Sequence, residues 1–130
     1  MSLNGFVTAV STRIDTLADR VFYGEKVNPN TNIPYVWWHY TSSIDVEKLE
    51  DFIFEVDVVG YANNLSGLES IIDAIDGDGN IINASGLNYW HSGSGGHPTF
   101  RCFRMSRITI PTVDEELARR QLRYRARVYL

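Results

Sequence analysis

The last strand-like stretch of the sequence carries the residue types that come nearest to a chemical site. Arg123, Arg125 and Arg127 alternate with apolar residues, which is the period-two pattern of a strand with one buried face. The three guanidiniums would line the other face about 7 Å apart, within one Debye length of about 8 Å. The row therefore predicts a site that attracts acidic groups, although a solvated strand face tolerates the same charges.

A second candidate is an Asp- and Gly-rich stretch, residues 76–80, which resembles the start of a calcium-binding loop. Such a loop needs Gly at its sixth position and Glu at its twelfth, where this sequence has Ile81 and Leu87. The composition also fits an ordinary Asp/Gly turn. We expect the turn, and no calcium.

A third candidate combines His91, His97 and Cys102, whose residue types can ligate a metal. Their spacing matches no metal signature, and the chain between the histidines is a Ser/Gly stretch typical of a solvated loop. Cys102 lies in a predicted strand among apolar residues, where a small core residue is expected. No Ser/His/Asp or Cys/His set falls in a catalytic frame, so we expect no enzyme, no metal and no cofactor.

Tryptophans support a different hypothesis. Trp37, Trp38 and Trp90 could surround a pocket for a small molecule or a peptide. However, neighbouring residues of a strand face opposite sides, so one of Trp37 and Trp38 is expected in the core. We keep this binding module as the alternative function.

Length and charge limit the classes of protein. A chain of 130 residues is expected to form one domain with one core, without a signal sequence or a membrane span. From Pro98 onward the chain has eight arginines and three acidic residues, a net charge of +5. The first 97 residues have four basic and thirteen acidic residues, a net charge of −9. The net charge of −4 is unlike that of most nucleic-acid binders, and the two charge regions suit contacts between copies of the chain.

Helical periodicity occurs twice. A first helix is predicted between a cap at Asn4 and a stop at Gly24, with an apolar stripe that ends at Val21. A second is predicted from a capping box at 66–69 to the stop at Gly77.

Strand patterns occur four times, at 35–41, 52–59, 100–110 and 119–130. Residues 42–50 and 111–116 are predicted turns. In 100–110 we expect Phe100, Cys102, Ser106, Ile108 and Ile110 to share one face. The order and the short links favour an α+β fold, an antiparallel sheet of about four strands with both helices on one face.

Two further features bear on a surface site. If the strand 52–59 lies beside the last strand, Glu55 and Asp57 should neutralise part of the arginine row. The stretch 77–98 is rich in Gly, Asn and Ser and is predicted to be a long flexible loop, a length that tends to be functional or mobile.

The order and spacing of these elements resemble the tail completion (tail terminator, head-to-tail joining) proteins of long-tailed bacteriophages and prophages. The resemblance covers nearly the whole chain and rests on the first helix and on four segments: Pro34-Tyr35-Val36, Phe54–Val58, Ile75-Asp76-Gly77 and Arg119–Arg125. The long insert at 77–98 departs from the family pattern.

The resemblance implies a structural protein without catalysis. It implies a ring, usually of six subunits, that caps the tail tube, ends its polymerisation and presents a surface to the head connector. The expected partners are other copies of the chain, the tail tube protein and the head connector protein. Neither a membrane nor a nucleic acid is expected, apart from DNA passing through the ring, and the expected locations are the virion tail and the host cytoplasm during assembly.

Two sets of residues follow as candidates on this hypothesis. The subunit interface is predicted to include Arg101, Arg107, Arg123, Arg125, Arg127, Glu55 and Asp57. The docking loop is predicted to include Asn88, Tyr89, Trp90, His91 and His97.

Overall fold

The computed structural model describes residues 3–24, 32–46, 49–93 and 99–129, which form an α+β fold with two helices and five strands. The elements are α1 (Leu3–Leu17), β1 (Val21–Tyr23), β2 (Tyr35–Val46), β3 (Leu49–Tyr61), α2 (Leu65–Asp76), β4 (Thr99–Ile110) and β5 (Leu117–Tyr129). In the described part of the chain, no helix is long and apolar enough to cross a membrane.

The sheet is mixed, with the strand order β1-β2-β3-β5-β4. Strands β2 to β5 pair antiparallel, as predicted, but β1 pairs parallel to β2. The prediction missed β1 because it extended the first helix to Val21. The helix instead ends at Leu17, and Arg20 takes a positive φ of 52°, a backbone conformation that no helix continues.

Both helices pack on one face of the sheet, as predicted. The ring of Phe6 on α1 stacks on Phe52 of β3 with centroids 4.5 Å apart, and it meets Phe100 of β4 edge-on at 5.1 Å. The buried face of α2, Leu68, Ile72 and Ile75, joins the same hydrophobic core. A single apolar layer between helices and sheet therefore holds the domain together.

A β-bulge at Met105 reverses the faces of β4. Arg104 is opposite Tyr124 on β5, but the next paired residue, Ser106, is opposite Arg123. One extra residue shifts the side-chain alternation by one position, so Arg107 points to the helices and Ile108 to the other face. The predicted single face from Phe100 to Ile110 is therefore wrong beyond the bulge.

Two smaller boundaries also differ from the predictions. Residues 42–46 are strand rather than turn, because β2 continues past a bulge at Thr41 and pairs with the start of β3. Helix α2 is capped by Asn64, whose side chain accepts a hydrogen bond from the Gly67 amide, and not by Ser66. Its predicted end at Gly77 is confirmed.

Candidate functional site

The helix-free face of the sheet carries a row of ion pairs between β3 and β5, here called the ion-pair ladder. It consists of Asp51, Glu55 and Asp57 on β3 with Arg119, Arg123, Arg125 and Arg127 on β5. Pairing of the two strands places Glu55 opposite Arg123. The expectation is thus confirmed for Glu55, which lies beside Arg123 of the arginine row, whereas Asp57 pairs with Arg119, outside that row.

Two rungs of the ladder are tight. Arg125 reaches Oδ2 of Asp51 at 2.7 Å, and Arg119 reaches Oδ1 of Asp57 at 2.8 Å. Both carboxylates are buried, and the Gln121 amide donates a further hydrogen bond to Asp57 at 3.2 Å. Because a buried carboxylate needs a partner, Arg119 and Arg125 stabilise the sheet from its outer side.

The remaining two arginines are loosely held. Arg123 lies 3.9 Å from Glu55 and Arg127 lies 3.7 Å from Asp51, and their side chains are 43% and 52% exposed. Ion pairs with this geometry and exposure contribute little to folding. Among the ladder arginines, these two have the most exposed side chains.

Aromatic side chains extend the helix-free face across β2. The Arg119 guanidinium lies over the Trp37 ring, 5.7 Å from its centroid, and Trp37 in turn stacks on His39 at 4.9 Å. His39 is 3.8 Å from Glu55. The face is therefore a continuous layer of rings and ion pairs.

A second group of arginines points the other way, toward α2. Arg104 donates to Asp76 at 2.6 Å, Arg107 binds both Asp73 and Glu69, and Arg120 binds Glu69 at 2.8 Å. The hydrogen bond from Arg107 contributes most to lowering the pKa of Glu69, and the same bond raises the pKa of Arg107. The predicted interface residue Arg107 thus lies on the opposite side of the sheet from Arg123, because of the bulge at Met105.

The docking loop, the name used here for the described residues 77–93, runs from the end of α2 to the outer edge of β4. The backbone of Tyr89 and Trp90 exchanges hydrogen bonds of 2.8 and 2.9 Å with Cys102, and the Ser92 amide donates to Phe100 at 2.9 Å. Leu87 is fully buried in the core. Residues 89–92 are thus hydrogen-bonded along the edge of β4, in a stretch that was predicted to be a flexible loop, while His97 lies outside the described residues.

Two arginines hold this loop through its backbone carbonyls. Arg13 on α1 donates to the carbonyls of Ala84 and Gly86, both at 3.0 Å, and it lies over the Trp90 ring. Arg101 on β4 donates to the carbonyls of Tyr89, at 3.1 Å, and Ile81. Arg101, predicted at the interface with the ladder arginines, lies opposite Arg127 of the ladder, but its guanidinium is bonded to the loop.

The three tryptophans do not surround a common pocket. Trp38 is buried in the core, Trp37 lies on the helix-free face, and Trp90 of the docking loop packs against Phe100 of β4. The tryptophan-lined pocket is therefore wrong as an arrangement, because strand alternation separates Trp37 from Trp38.

The metal candidates are used in structural contacts. Asp76 accepts hydrogen bonds from Tyr124 and Arg104, and Asp78 accepts one from the Asn80 amide within a turn. Burial raises the pKa of the Cys102 thiol well above its ordinary range, so it is held protonated in the core. Within the described ranges no three His, Cys, Asp or Glu side chains cluster as metal ligands.

The sequence interpretation missed Asp51 and Arg119 as members of the ladder. Asp51 lies between the predicted turn at 42–50 and the predicted strand at 52–59, and its position six residues before Asp57, with the same parity, is a usable signal once the strand is extended by one residue. Arg119 shares the parity of Arg123. Asp51 follows from a longer β3, and Arg119 follows from side-chain alternation within the predicted strand 119–130.

Comparison of the chain with protein-family models and with curated proteins gives no match.

Proposed function

We propose that this chain is a structural subunit of a bacteriophage or prophage tail. Copies of it assemble into a ring that caps the tail tube, ends its polymerisation and offers a surface to the head connector. The resemblance to tail completion proteins implies six subunits. The ring acts in the host cytoplasm during assembly and remains in the virion tail. Its chemistry is contact between protein surfaces, without catalysis or cofactor.

The observation that carries the proposal is the layer of rings and ion pairs on the helix-free face. Its ladder has four arginines and three carboxylates, so its charge is almost balanced within the subunit, and Arg123 and Arg127 remain exposed. A broad, charge-patterned face of this kind is suited to docking on another protein, where charges set the register and the association rate.

The proposal is tested on the purified chain, alone and with polymerising tail tube protein. Sedimentation velocity should give a ring-sized species near physiological salt that dissociates at high salt, because charged contacts are screened. Electron microscopy should show the chain at one end of the tubes, with tube length limited. A chain that stays monomeric at all concentrations and also leaves tube growth unchanged would contradict the proposal.

A matched pair of variants separates assembly from folding. Replacing Arg123 and Arg127 by Ser should weaken ring formation or tube capping while the melting temperature is kept, since their ion pairs are long and exposed. Replacing Asp15 by Ser is the control on the exposed side of α1, outside this face, and it should leave assembly intact.

A further inference from the structure

A groove lies between the docking loop and β4, and its charges and exposed apolar side chains indicate what it binds. We propose that the groove receives the acidic β4–β5 turn, residues 112–116, of a second copy of this chain. This inference rests on the proposed function, since it names the contact that would join neighbouring subunits in the ring. This contact is separate from the ion-pair ladder, so both surfaces can act in one assembly.

The groove combines apolar walls with cationic groups. It has a volume of about 550 Å³, and its lining includes Arg13, Ile81, Ile82, Trp90 and Arg101. Ile82 is 89% exposed and Ile81 is 58% exposed. Two neighbouring isoleucines left in water at a concave surface are a feature of interaction sites rather than of a solvated loop.

The two arginines of the groove lack acidic partners. Arg13 and Arg101 donate hydrogen bonds to carbonyl groups of the loop, but these neutral acceptors leave the two charges unbalanced, and the buried Nε of Arg13 has no hydrogen-bond partner among the described residues. Among the described side chains no carboxylate forms a salt bridge with either arginine. Every other described arginine of β4 and β5 has such a partner, so the groove carries two positive charges that no described carboxylate compensates.

The β4–β5 turn has the complementary properties. Val113 at its tip is fully exposed, and Asp114, Glu115 and Glu116 are exposed beside it. No described basic side chain forms a salt bridge with these three acids. The turn is also preorganised, because the Thr112 hydroxyl bonds to the Leu117 carbonyl at 3.0 Å and the Glu116 amide to Asp114 at 2.9 Å.

A subunit cannot place its own turn in its own groove. Arg101 and Ile110 are separated by nine residues of extended β4, which is about 30 Å. The turn and the groove thus lie toward opposite ends of the same strand and must be joined between copies. Because the two surfaces differ, the contact is head-to-tail, and its repetition produces a closed ring or an open filament.

The fit assigns a role to each part of the turn. Val113 would be buried against Ile81 and Ile82, and the carboxylates would approach the guanidiniums of Arg13 and Arg101. Charge-assisted contacts beside a small apolar anchor are a common way to combine affinity with orientation.

The test uses one variant on each surface. Glu115→Lys with Glu116→Lys reverses charge on the turn, and Ile82→Asp places a like charge in the groove opposite the incoming acids. These side chains make no described hydrogen bond or ion pair, so both variants should keep the melting temperature of the wild type. Each should weaken self-association by at least about tenfold, measured by sedimentation velocity over a concentration series.

Mixing the two variants gives the decisive measurement. The turn variant retains an intact groove and the groove variant retains an intact turn, so the mixture should form a 1:1 dimer that does not grow further. Native mass spectrometry of the mixture detects that species. A mixture without the dimer, or variants that assemble like the wild type, would overturn the inference.

The outcomes also separate this inference from the proposed function. If the wild type forms rings and the variants do too, the turn–groove contact is wrong while the ring remains. If the wild type does not self-associate even on tail tubes, both are wrong.

Discussion

The phenol of Tyr124 donates a 2.7 Å hydrogen bond to Oδ1 of Asp76, joining β5 to the last residue of α2 within the protein interior. The other oxygen of Asp76 accepts from Arg104 at 2.6 Å. This contact fixes the end of α2 on the sheet, immediately before the chain enters the docking loop.

Removal of the Tyr124 hydroxyl should therefore destabilise the protein. In Tyr124→Phe one oxygen of a buried carboxylate loses its donor, a loss of about 1–3 kcal/mol. Urea unfolding at neutral pH measures it. The control, Tyr61→Phe, alters an exposed ring and should stay within about 0.5 kcal/mol of the wild type.

The same phenol predicts a loss of stability at alkaline pH. Burial raises the pKa of Tyr124 far above its ordinary value, and the Asp76 charge raises it further. The folded protein keeps this proton, whereas the unfolded chain releases it above about pH 10. The stabilisation is complete below that pH and falls above it, by up to about 1.4 kcal/mol per pH unit.

Urea titrations at pH 9, 10 and 11 (roughly spanning the phenol pKa of an unfolded chain) check this dependence. The buried Cys102 thiol has a raised pKa as well and contributes a decline of the same sign that begins lower. The comparison is therefore between wild type and Tyr124→Phe, and the wild type should lose stability more steeply above pH 10. Parallel curves would show that Tyr124 ionises normally in the folded state.

Neighbouring rungs of the ion-pair ladder should respond differently to truncation. Arg125→Ala leaves the buried carboxylate of Asp51 without its 2.7 Å partner. Breaking a fully buried pair costs about 3–5 kcal/mol, but the Arg125 side chain is 30% exposed, so we expect a loss of about 2 kcal/mol.

The matched variant is Arg123→Ala on the same strand and the same face. The distance between Arg123 and Glu55 is long and the Arg123 side chain is 43% exposed. Loss of this ion pair should therefore cost less than about 1 kcal/mol of folding stability. Chemical denaturation of both variants gives the comparison. Equal losses would mean that the ladder acts as one network rather than as tight and loose rungs.

The sequence predicted the architecture where side-chain alternation is regular. The apolar face of β5, the pairing of its arginines with Glu55 and the end of α2 at Gly77 all follow from periodicity. These features depend on the burial of one face of each helix or strand, and the spacing of apolar residues in the sequence indicates which face is buried.

Prediction was wrong where one residue departs from the regular pattern. The bulge at Met105 reverses the faces of Ser106 and Arg107. Helix α1 ends at Leu17 and the positive φ of Arg20 follows, where composition alone would extend the helix. Neither departure has a local sequence signal, because both are imposed by packing against other parts of the chain. The groove was missed for the same reason, since Arg13 and Arg101 lie 88 residues apart in the sequence.

The position of the docking loop depends on a close approach between Gly86 and the end of α2. A Cβ on Gly86 would lie less than 3.0 Å from backbone atoms of Ile75, Asp76 and Gly77. Gly86→Ala should therefore displace the loop from β4, with a loss of about 3 kcal/mol and faster hydrogen exchange at the Leu87 and Asn88 amides. Gly79→Ala is the control for this variant.

At Gly79 a Cβ would meet nothing within 4 Å, but φ is +77°, so only backbone strain of about 1–2 kcal/mol applies. The amides of Leu87 and Asn88 should keep their protection in this control, because they bond to the carbonyls of Ile75 and Asp76 and the steric conflict is absent. If both variants expose these amides equally, the loop depends on backbone conformation and not on the contact at Gly86. Gly86→Ala should also abolish turn–groove association, since the groove is formed by the displaced loop.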